Sequence, residues 1–575
     1  MAGYSTHFRG KKITLMGLGL LGRGVGDAEF LAEMGAELTI TDLKSEAELA
    51  PSLARLKKFP TITYRLGEHV FDDFRNRDYI VKAAGVPLDS PYIAEARNNG
   101  IPIKMSASWF AELAGIPVVG VTGTRGKTTT TMLLYEILRA AGKHVLLGGN
   151  IRGVSTLALL RDVTPDSLAL FELDSWQCQG WGEARMSPQV SVFTTFMRDH
   201  MNYYRDDMAR YLEDKAQIFL HQKPGDTFVL GTRAKEWVLT THQPPVEPSI
   251  AEANSIDGWD VAMPGDHNRD NAACAVVAAR ALGVPDATSK EVLARFRGAP
   301  GRLELVREVN GVALYNDTTA TTPEATVAAL RALDPNEKKH IVLIVGGADK
   351  GLPLDALVSH LPAHAKKVVF LAGGGTERLA PLCEPSATLN TTLGDAVTEA
   401  LAHAREGDTI LFSPAFASFG MFANEYDRGD QFNALVESIP DLSCLKPKVR
   451  ALARALQEAC KREGFLITIS YGFRSCEEQE ALYAKGRTEP GSIVTNARGG
   501  ESFHNYGVAF DIRPVASSPE ERERLRLKAG PLGEALGLTW GGRWETFKDI
   551  PHFEYTLDYS LDDFKKGLVD ETRFL

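Results

Sequence analysis

The sequence is poor in the features that mark exported, membrane-bound or nucleic-acid-binding chains. Its 575 residues include only six cysteines, at 178, 274, 383, 444, 460 and 476, and none forms a C-x-x-C pair. That count builds neither a disulfide scaffold nor a thiolate metal knuckle, and it suits a reducing compartment in which cysteine serves as a small core residue. No apolar run reaches the roughly eighteen residues needed to span a bilayer, and the stretch from Met1 to Lys12 lacks the apolar segment that directs export. Membrane insertion is therefore not expected, and a cytoplasmic location is. Long basic runs are missing as well. Charged residues make up 24% and the net charge is −10, which argues against nucleic acid or anionic lipid as partners. Small ligands remain, on a chain too long for one hydrophobic core and expected to fold as about three or four domains of a monomer.

The most informative stretch that is present runs from Pro117 to Thr130. An apolar run, Val118 to Val121, leads into a loop with glycines at 120, 123 and 126, and Lys127, Thr128 and Thr129 then open a helical segment. Such a loop turns backbone N–H groups onto phosphate oxygens, the helix N-terminus and the lysine add positive charge, and a threonine hydroxyl can ligate Mg²⁺. Gly123, Thr124, Arg125, Gly126, Lys127, Thr128 and Thr129 are thus the expected ATP-phosphate set. The spacing departs from G-x-x-x-x-G-K-[ST] only in having Val121 at the first glycine position.

Upstream, the strand-like Ile13 to Met16 is followed by Gly17-Leu-Gly-Leu-Leu-Gly22, a helical stretch, and a second strand ending at Asp42. By pattern this is a dinucleotide fingerprint, and alone it would suggest an NAD-dependent oxidoreductase. The phosphate loop a hundred residues later argues against that, and a nucleotide diphosphate on the same turn satisfies the same physics. Downstream, polar clusters follow the strand-like runs in Phe171–Gln177, Arg198–Met201 and Asp214–Ala216, with Glu172 and His200 as plausible Mg²⁺ groups. Asn268 and Asn271, three apart at a helix start, can share one face and read an adenine edge. After Arg302 a third α/β unit offers the turns Asn316–Thr321, Gly346–Gly351 and Ser413–Ser418, which suit a small charged substrate.

Together these residues resemble the Mur ligases, and within them the branch that adds glutamate to UDP-N-acetylmuramoyl-L-alanine. The matches run through Thr122–Thr129, Gly149-Asn-Ile151, Glu172 with Ser175 and Gln177, Asp199-His-Met201, Lys215-Ala216, Gly265–Asn271, Arg302, Asn316-Asp317, Gly346-Gly347 with Lys350, Ser413-Pro-Ala415 and Tyr426-Asp-Arg-Gly429. The resemblance implies an α/β architecture of three domains: a Rossmann-like UDP-sugar domain (1–116), a P-loop ATPase (117–297) and a Rossmann-like amino-acid domain (298–440). It implies that ATP phosphorylates a substrate carboxylate and that the amine of glutamate then displaces phosphate. Lys127, His200 and a carbamylated Lys215 are the implied catalytic groups, with Thr128, Glu172, His200 and Lys215 around Mg²⁺. Asn268, Asn271, Arg302 and Asp317 join the ATP set, and Gly17, Leu18, Gly19, Asp42, Asn150, Ser175, Gln177, Lys350 and Ser418 are the implied substrate-binding residues. The sequence departs from the family pattern at Arg125, Asp174, Asn202, Gly301, Thr319 and Glu425, which leaves open whether D- or L-glutamate is added.

Beyond a linker at 441–448, residues 449–575 form a unit that the ligase pattern lacks. Ser502-Phe-His-Asn-Tyr-Gly-Val-Ala-Phe-Asp511 and Asp549-Ile-Pro-His-Phe-Glu554 supply two histidines and an aspartate, a catalytic-type Zn²⁺ set with one position left for water. With Ser470–Ser475, Gln479, Gly486–Thr488 and Thr495–Arg498 they resemble zinc peptidases acting as D-alanyl-D-alanine carboxypeptidases or L-alanyl-D-glutamate peptidases. The resemblance implies a small α+β domain cutting muropeptides, with His504, Asp511 and His552 on Zn²⁺, Asp549 as general base and Arg474 at the oxyanion. Two other outcomes stay open: a peptidase-like domain that only binds muropeptides, and an oxidoreductase in the N-terminal half.

Overall fold

The central feature of the computed structural model, which describes residues 2–20, 22–384, 387, 389–516, 518–545 and 547–575, is a series of four sheets, each built in its own stretch of chain. Leu21 of the first glycine turn lies outside the described residues. Contacts divide the chain into two compact units, Met1–Ala299 and Pro300–Leu575.

In the first unit a five-stranded parallel sheet has the order Thr63–Leu66, Glu37–Asp42, Lys12–Met16, Tyr79–Lys82, Ile103–Lys104. A six-stranded parallel sheet follows, in the order Pro248–Ala251, Thr227–Gly231, Val190–Phe193, Val118–Thr122, Ser167–Glu172, His144–Gly149. Val118–Thr122 and Ser167–Glu172 are buried at every residue, as expected of parallel strands covered by helices on both faces. The helix Lys127–Ala140 packs its Leu133, Leu134, Ile137 and Leu138 into the core shared with the helix Asp266–Ala281.

The second unit opens with a hairpin, Glu304–Val309 and Val312–Asn316, joined by Asn310 and Gly311 at φ 56° and 76°. Both central residues lie in the left-handed region that a tight two-residue hairpin turn requires. The hairpin forms one edge of a six-stranded sheet continued in parallel by Thr409–Phe412, Ile341–Gly346, Ala365–Leu371 and Leu389–Asn390. The last sheet is antiparallel, in the order Ile467–Tyr471, Ala509–Pro514, His552–Glu554, Thr539–Trp540. The amphipathic helix Pro447–Arg462 buries Val449, Leu452, Ala453, Leu456 and Cys460 against it.

The stretch 441–448, expected to be a linker, is part of this packing. It forms a short 3-10 helix, Leu442–Cys444, and Leu442 and Leu445 enter the last domain's core. Two leucines spaced three apart can share one side of such a turn, which is why this segment folds instead of acting as a spacer. No helix among the described residues is long and apolar enough to cross a membrane.

Candidate active sites

The buried strand Val118–Thr122 delivers the chain into the glycine loop, and Gly126, in the left-handed region, starts the helix Lys127–Ala140. A Cβ at Gly123 would stand 2.1 Å from Thr194 Oγ1, and one at Gly126 would stand 2.1 Å from Asn271 Oδ1. The loop is therefore closed on two sides. Thr124 N donates to Thr195 O at 2.7 Å and Arg125 N to Thr195 Oγ1 at 2.8 Å. Lys127 folds back over the loop, its Nζ donating to the carbonyls of Gly123 and Thr124 at 3.0 and 3.1 Å. Thr128 and Thr129 follow in the first helical turn, where free N–H groups and the helix dipole favour an anion.

Lys215 reaches the same loop from the helix Met208–Ala216. Its side chain is buried and its Nζ donates to Gly123 O at 2.8 Å. Burial, aided by the charge of Lys127, pulls its pKa down to about 7, so a large fraction of the amine is neutral near that pH. Glu172 ends the strand Ser167–Glu172 opposite Val121. One of its oxygens accepts from Asn150 Nδ2 at 3.1 Å, while the other is buried without a hydrogen-bond partner among the described residues. An orphaned carboxylate oxygen beside a phosphate loop fits a divalent cation. His200 lies at φ 55°, its ring 4.9 Å from Trp176, and burial lowers its pKa against the pull of Asp199. A neutral imidazole is the form that ligates metal.

Other predicted residues are engaged in holding the site together. Asn271 Nδ2 donates to Asn268 Oδ1 at 3.2 Å, and Asn268 Nδ2 to Pro264 O at 2.9 Å. Gln177 forms a reciprocal cap with Asp174, and Ser175 is buried in the same helix. Both carboxylate oxygens of Asp42 are committed to backbone: Leu18 N and Gly19 N donate to one at 2.8 and 3.1 Å, and Lys44 N to the other at 2.9 Å. Asp42 thus fixes the glycine turn.

In the second unit three turns converge. Ala348 and Ala417 exchange hydrogen bonds at 2.9 and 3.1 Å, bringing Lys350 and the buried Ser418 into neighbouring turns. Lys350 Nζ donates to Thr321 Oγ1 at 2.9 Å. Asp317 accepts from Ser413 Oγ at 2.8 Å and Leu303 N at 3.1 Å, and burial pushes its pKa up to about 7 despite Arg302. Arg428, completely buried, ties two of these turns by donating to Thr318 O and Phe416 O at 2.8 and 3.1 Å.

The last domain gathers His504, Asp511 and His552, with one ligand atom of each within 4.8 Å of the others. Asp511 and His552 are cross-strand partners, and His504 comes from the short helix Phe503–Tyr506. His504 Nδ1 faces the Gly472 carbonyl at 2.7 Å and His552 Nε2 faces Glu554 Oε2 at 3.2 Å. These acceptors hold the ring protons, leaving His504 Nε2 and His552 Nδ1, 3.2 Å apart, to present lone pairs beside Asp511 Oδ1. Two lone pairs and a carboxylate at this distance require a positive charge between them. Zn²⁺ fits, because each histidine already has the outer partner that orients a metal ligand. Against burial, Asp511 and Glu554 raise the pKa of His552 to about 9, so the ring itself draws a proton to this point, and a metal would displace that proton to use the Nδ1 lone pair. Asp549 lies close enough for Asp511, after burial, to raise its pKa further. Arg474 Nη1 donates to Gln479 Oε1 at 2.7 Å, and its Nε is buried without a partner among the described residues.

Family models match along the chain: a Mur ligase MurD-like N-terminal domain over residues 11–105, a Mur ligase middle domain over 121–254, and a Mur ligase glutamate ligase domain over 301–416. The UDP-N-acetylmuramoylalanine--D-glutamate ligase of Roseiflexus sp. (strain RS-1) is 38% identical over 467 residues, covering 75% of this chain and 99% of that protein. The chain belongs to the Mur ligase family. A second Mur ligase of the same description, from Borreliella burgdorferi, is 35% identical over 448 residues, covering 74% of this chain and 97% of its own. The solved UDP-N-acetylmuramate-alanine ligase of Thermotoga maritima matches with a TM-score of 0.49 at 19% identity, over 74% of this chain and 99% of that one. A D-alanyl-D-alanine carboxypeptidase model matches residues 495–555, the segment holding all three members of the His–Asp–His cluster. In this Mur ligase the sequence reading named Glu554 within the Asp549–Glu554 run but gave it no role. The signal was available, since residues i and i+2 on a strand share a face and place Glu554 beside His552.

Proposed function

We propose that this Mur ligase joins D-glutamate to UDP-N-acetylmuramoyl-L-alanine at the expense of ATP, and that its C-terminal domain hydrolyses a muropeptide amide bond, L-alanyl-D-glutamate or D-alanyl-D-alanine. For the ligase the deciding observation is the meeting, around one glycine loop, of a buried amine depressed to a pKa of about 7 and a buried carboxylate oxygen without a partner. D-Glutamate is the amino acid used by the 38% identical Roseiflexus ligase.

A carboxylate resists nucleophiles, and transfer of the γ-phosphoryl group of ATP onto it creates a leaving group for the incoming amine. The glycine loop and Lys127 hold the phosphates and spread their charge, so the chain contributes positioning and electrostatics. A neutral Lys215 can add CO₂ through its nitrogen and release a proton to become a carbamate, an anion that would suit joining Thr128, Glu172 and His200 around Mg²⁺. Lys350, Thr321 and Ser418 suit the carboxylates of glutamate. In the last domain His504, Asp511 and His552 would hold zinc, which when bound would make hydroxide available near neutral pH by lowering the pKa of water to about 7. Asp549, with its pKa raised, suits a group that takes a proton and returns it to the leaving amine, and Arg474 suits the developing oxyanion.

The test is to supply UDP-N-acetylmuramoyl-L-alanine, ATP, Mg²⁺ and each glutamate isomer separately, and in parallel Zn²⁺ with free L-alanyl-D-glutamyl and D-alanyl-D-alanyl peptides, following products by mass spectrometry. ATP-dependent amide formation with D-glutamate only, and chelator-sensitive cleavage of one peptide, are expected. Nicotinamide-dependent redox change without phosphate release would overturn the ligase reading. Zinc and muropeptide binding without hydrolysis would make the last domain a binding module.

A further inference from the structure

The strand order of the first sheet reverses between Lys12–Met16 and Tyr79–Lys82. In open parallel sheets the loops leaving such neighbours separate and bound a ligand crevice. Here the loops are the Gly17–Gly19 turn and Ala83–Val86, and they touch: a Cβ at Gly17 would stand 2.8 Å from Ala83 Cβ and 3.6 Å from Val86 Cγ2. Asp42 fixes the first loop by accepting from its N–H groups. The second is fixed by a group of opposite sign. Lys82 Nζ donates to Val86 O at 2.8 Å and lies 3.4 and 3.5 Å from the carbonyls of Ala83 and Ala84.

Lys82 is 2% exposed, and no carboxylate among the described residues lies within ion-pairing distance of it. It ends a strand whose preceding residues, Ile80 and Val81, are core. An aliphatic side chain would serve packing there without the cost of burying an ammonium group. That cost is visible in its pKa, which burial pulls down to about 8 against the charges of Asp174, Asp214 and Glu183. What the ammonium does that an aliphatic group cannot is gather carbonyls. Because a trans peptide sets C=O and N–H in opposite directions, carbonyls of Ala83 and Ala84 turned toward Lys82 leave the N–H groups of Ala84 and Gly85 on the loop's outer side. Gly85 is exposed, with open space where a Cβ would stand.

We infer that Lys82 is a positioning residue for the nucleotide-sugar substrate: its ammonium gathers the carbonyls of the Ala83–Val86 loop and so fixes the crevice wall that faces the glycine turn. The inference rests on the proposal that the first domain binds a UDP-sugar. Calorimetry with UDP-N-acetylmuramoyl-L-alanine on the native chain tests that premise by itself. For Lys82→Met in the full chain, affinity for the nucleotide-sugar should fall at least tenfold, with KM for ATP and glutamate within about threefold of native and the thermal midpoint unchanged or raised. A merely structural lysine would lower the midpoint and disturb all three substrates together. Should Lys82→Met fail to fold, Lys82→Gln, which keeps two N–H donors, provides the same comparison and should lose affinity less steeply. If the native chain binds the nucleotide-sugar and a folded Lys82 variant binds it within threefold of native, the inference is overturned; if the native chain does not bind it, the premise has failed instead.

Discussion

Asp27 links parts of the first unit that belong to different sheets. It sits on the helix Arg23–Glu33 and accepts from Ser106 Oγ at 2.9 Å and Ser155 Oγ at 2.5 Å, while Ser106 Oγ also accepts from Leu157 N at 2.9 Å. Burial pushes its pKa up to about 6, against the hydrogen bonds from both serines. A carboxyl whose folded pKa lies above its unfolded value contributes stability that is complete below the unfolded value, near 4, and disappears as pH rises through 6. Asp27→Asn keeps an acceptor oxygen for the serines without the charge. The difference in thermal midpoint between variant and native chain should be small at pH 4 and grow in the variant's favour toward pH 7, where it corresponds to a gain on the order of 2 kcal/mol. A difference independent of pH would show that Asp27 is not the titrating group. At Lys215 the expectation concerns chemistry: Lys215→Ala should lose at least a hundredfold in ligation and regain part of it with added formate or acetate. Undiminished activity in that variant would remove Lys215 from the mechanism.

At the scale of elements, patterns that repeat along the chain were readable and pairings between distant segments were not. Val118–Thr122 and Ile341–Gly346 are continuous apolar runs, which is how a parallel strand covered on both faces presents itself. The glycine loop was legible because its glycines are demanded by backbone close approach, as the contacts at Gly123 and Gly126 demonstrate. The strand Glu304–Val309 was missed because it is polar and lies at a sheet edge, although Asn310-Gly311 is the dipeptide that a tight hairpin favours. Lys82 gave no signal, and Arg428 stood in a matching motif, Tyr426-Asp-Arg-Gly429, without a role. Their partners are mainly backbone carbonyls, of the loop that follows for Lys82 and of distant turns for Arg428, and carbonyl directions are invisible in a sequence. Glu554 was readable from strand alternation, and its role can be measured. Glu554→Gln weakens the outer acceptor at His552 Nε2 and should reduce zinc affinity about ten- to a hundredfold, with little change in folding, as followed by competition with a chromophoric chelator. Zinc retained at native affinity would assign His552 a different tautomer.

For the whole molecule, the order of modules could be read from motifs, but the attachment of the last domain could not, because it depends on charges that meet only after folding. Arg513 and Arg522, both from the last domain, donate to the same Asp395 oxygen at 2.9 and 2.7 Å, and Asp395 lies in the first turn of the helix Leu393–His403 of the preceding domain. Asn310 of the preceding domain accepts from Leu442 N at 2.8 Å. Arg405–Glu458 and Arg454–Glu406 also cross this boundary, but with side chains 39–72% exposed they are worth little. Asp395 is different: its side chain is 16% exposed, and removing it leaves two guanidinium groups without their shared acceptor. Arg513 stands two residues from Asp511 on one strand, so this contact braces the strand that presents a metal ligand. Asp395→Ala should therefore cost about 1–3 kcal/mol and separate the unfolding of residues 300–440 from that of 441–575, giving two calorimetric transitions where the native second unit gives one. Peptide hydrolysis should lose its heat resistance in step with the lower transition, while ligation at 25 °C stays near native. A single transition at the native midpoint would mean that the packed segment 441–448 alone holds the last domain in place.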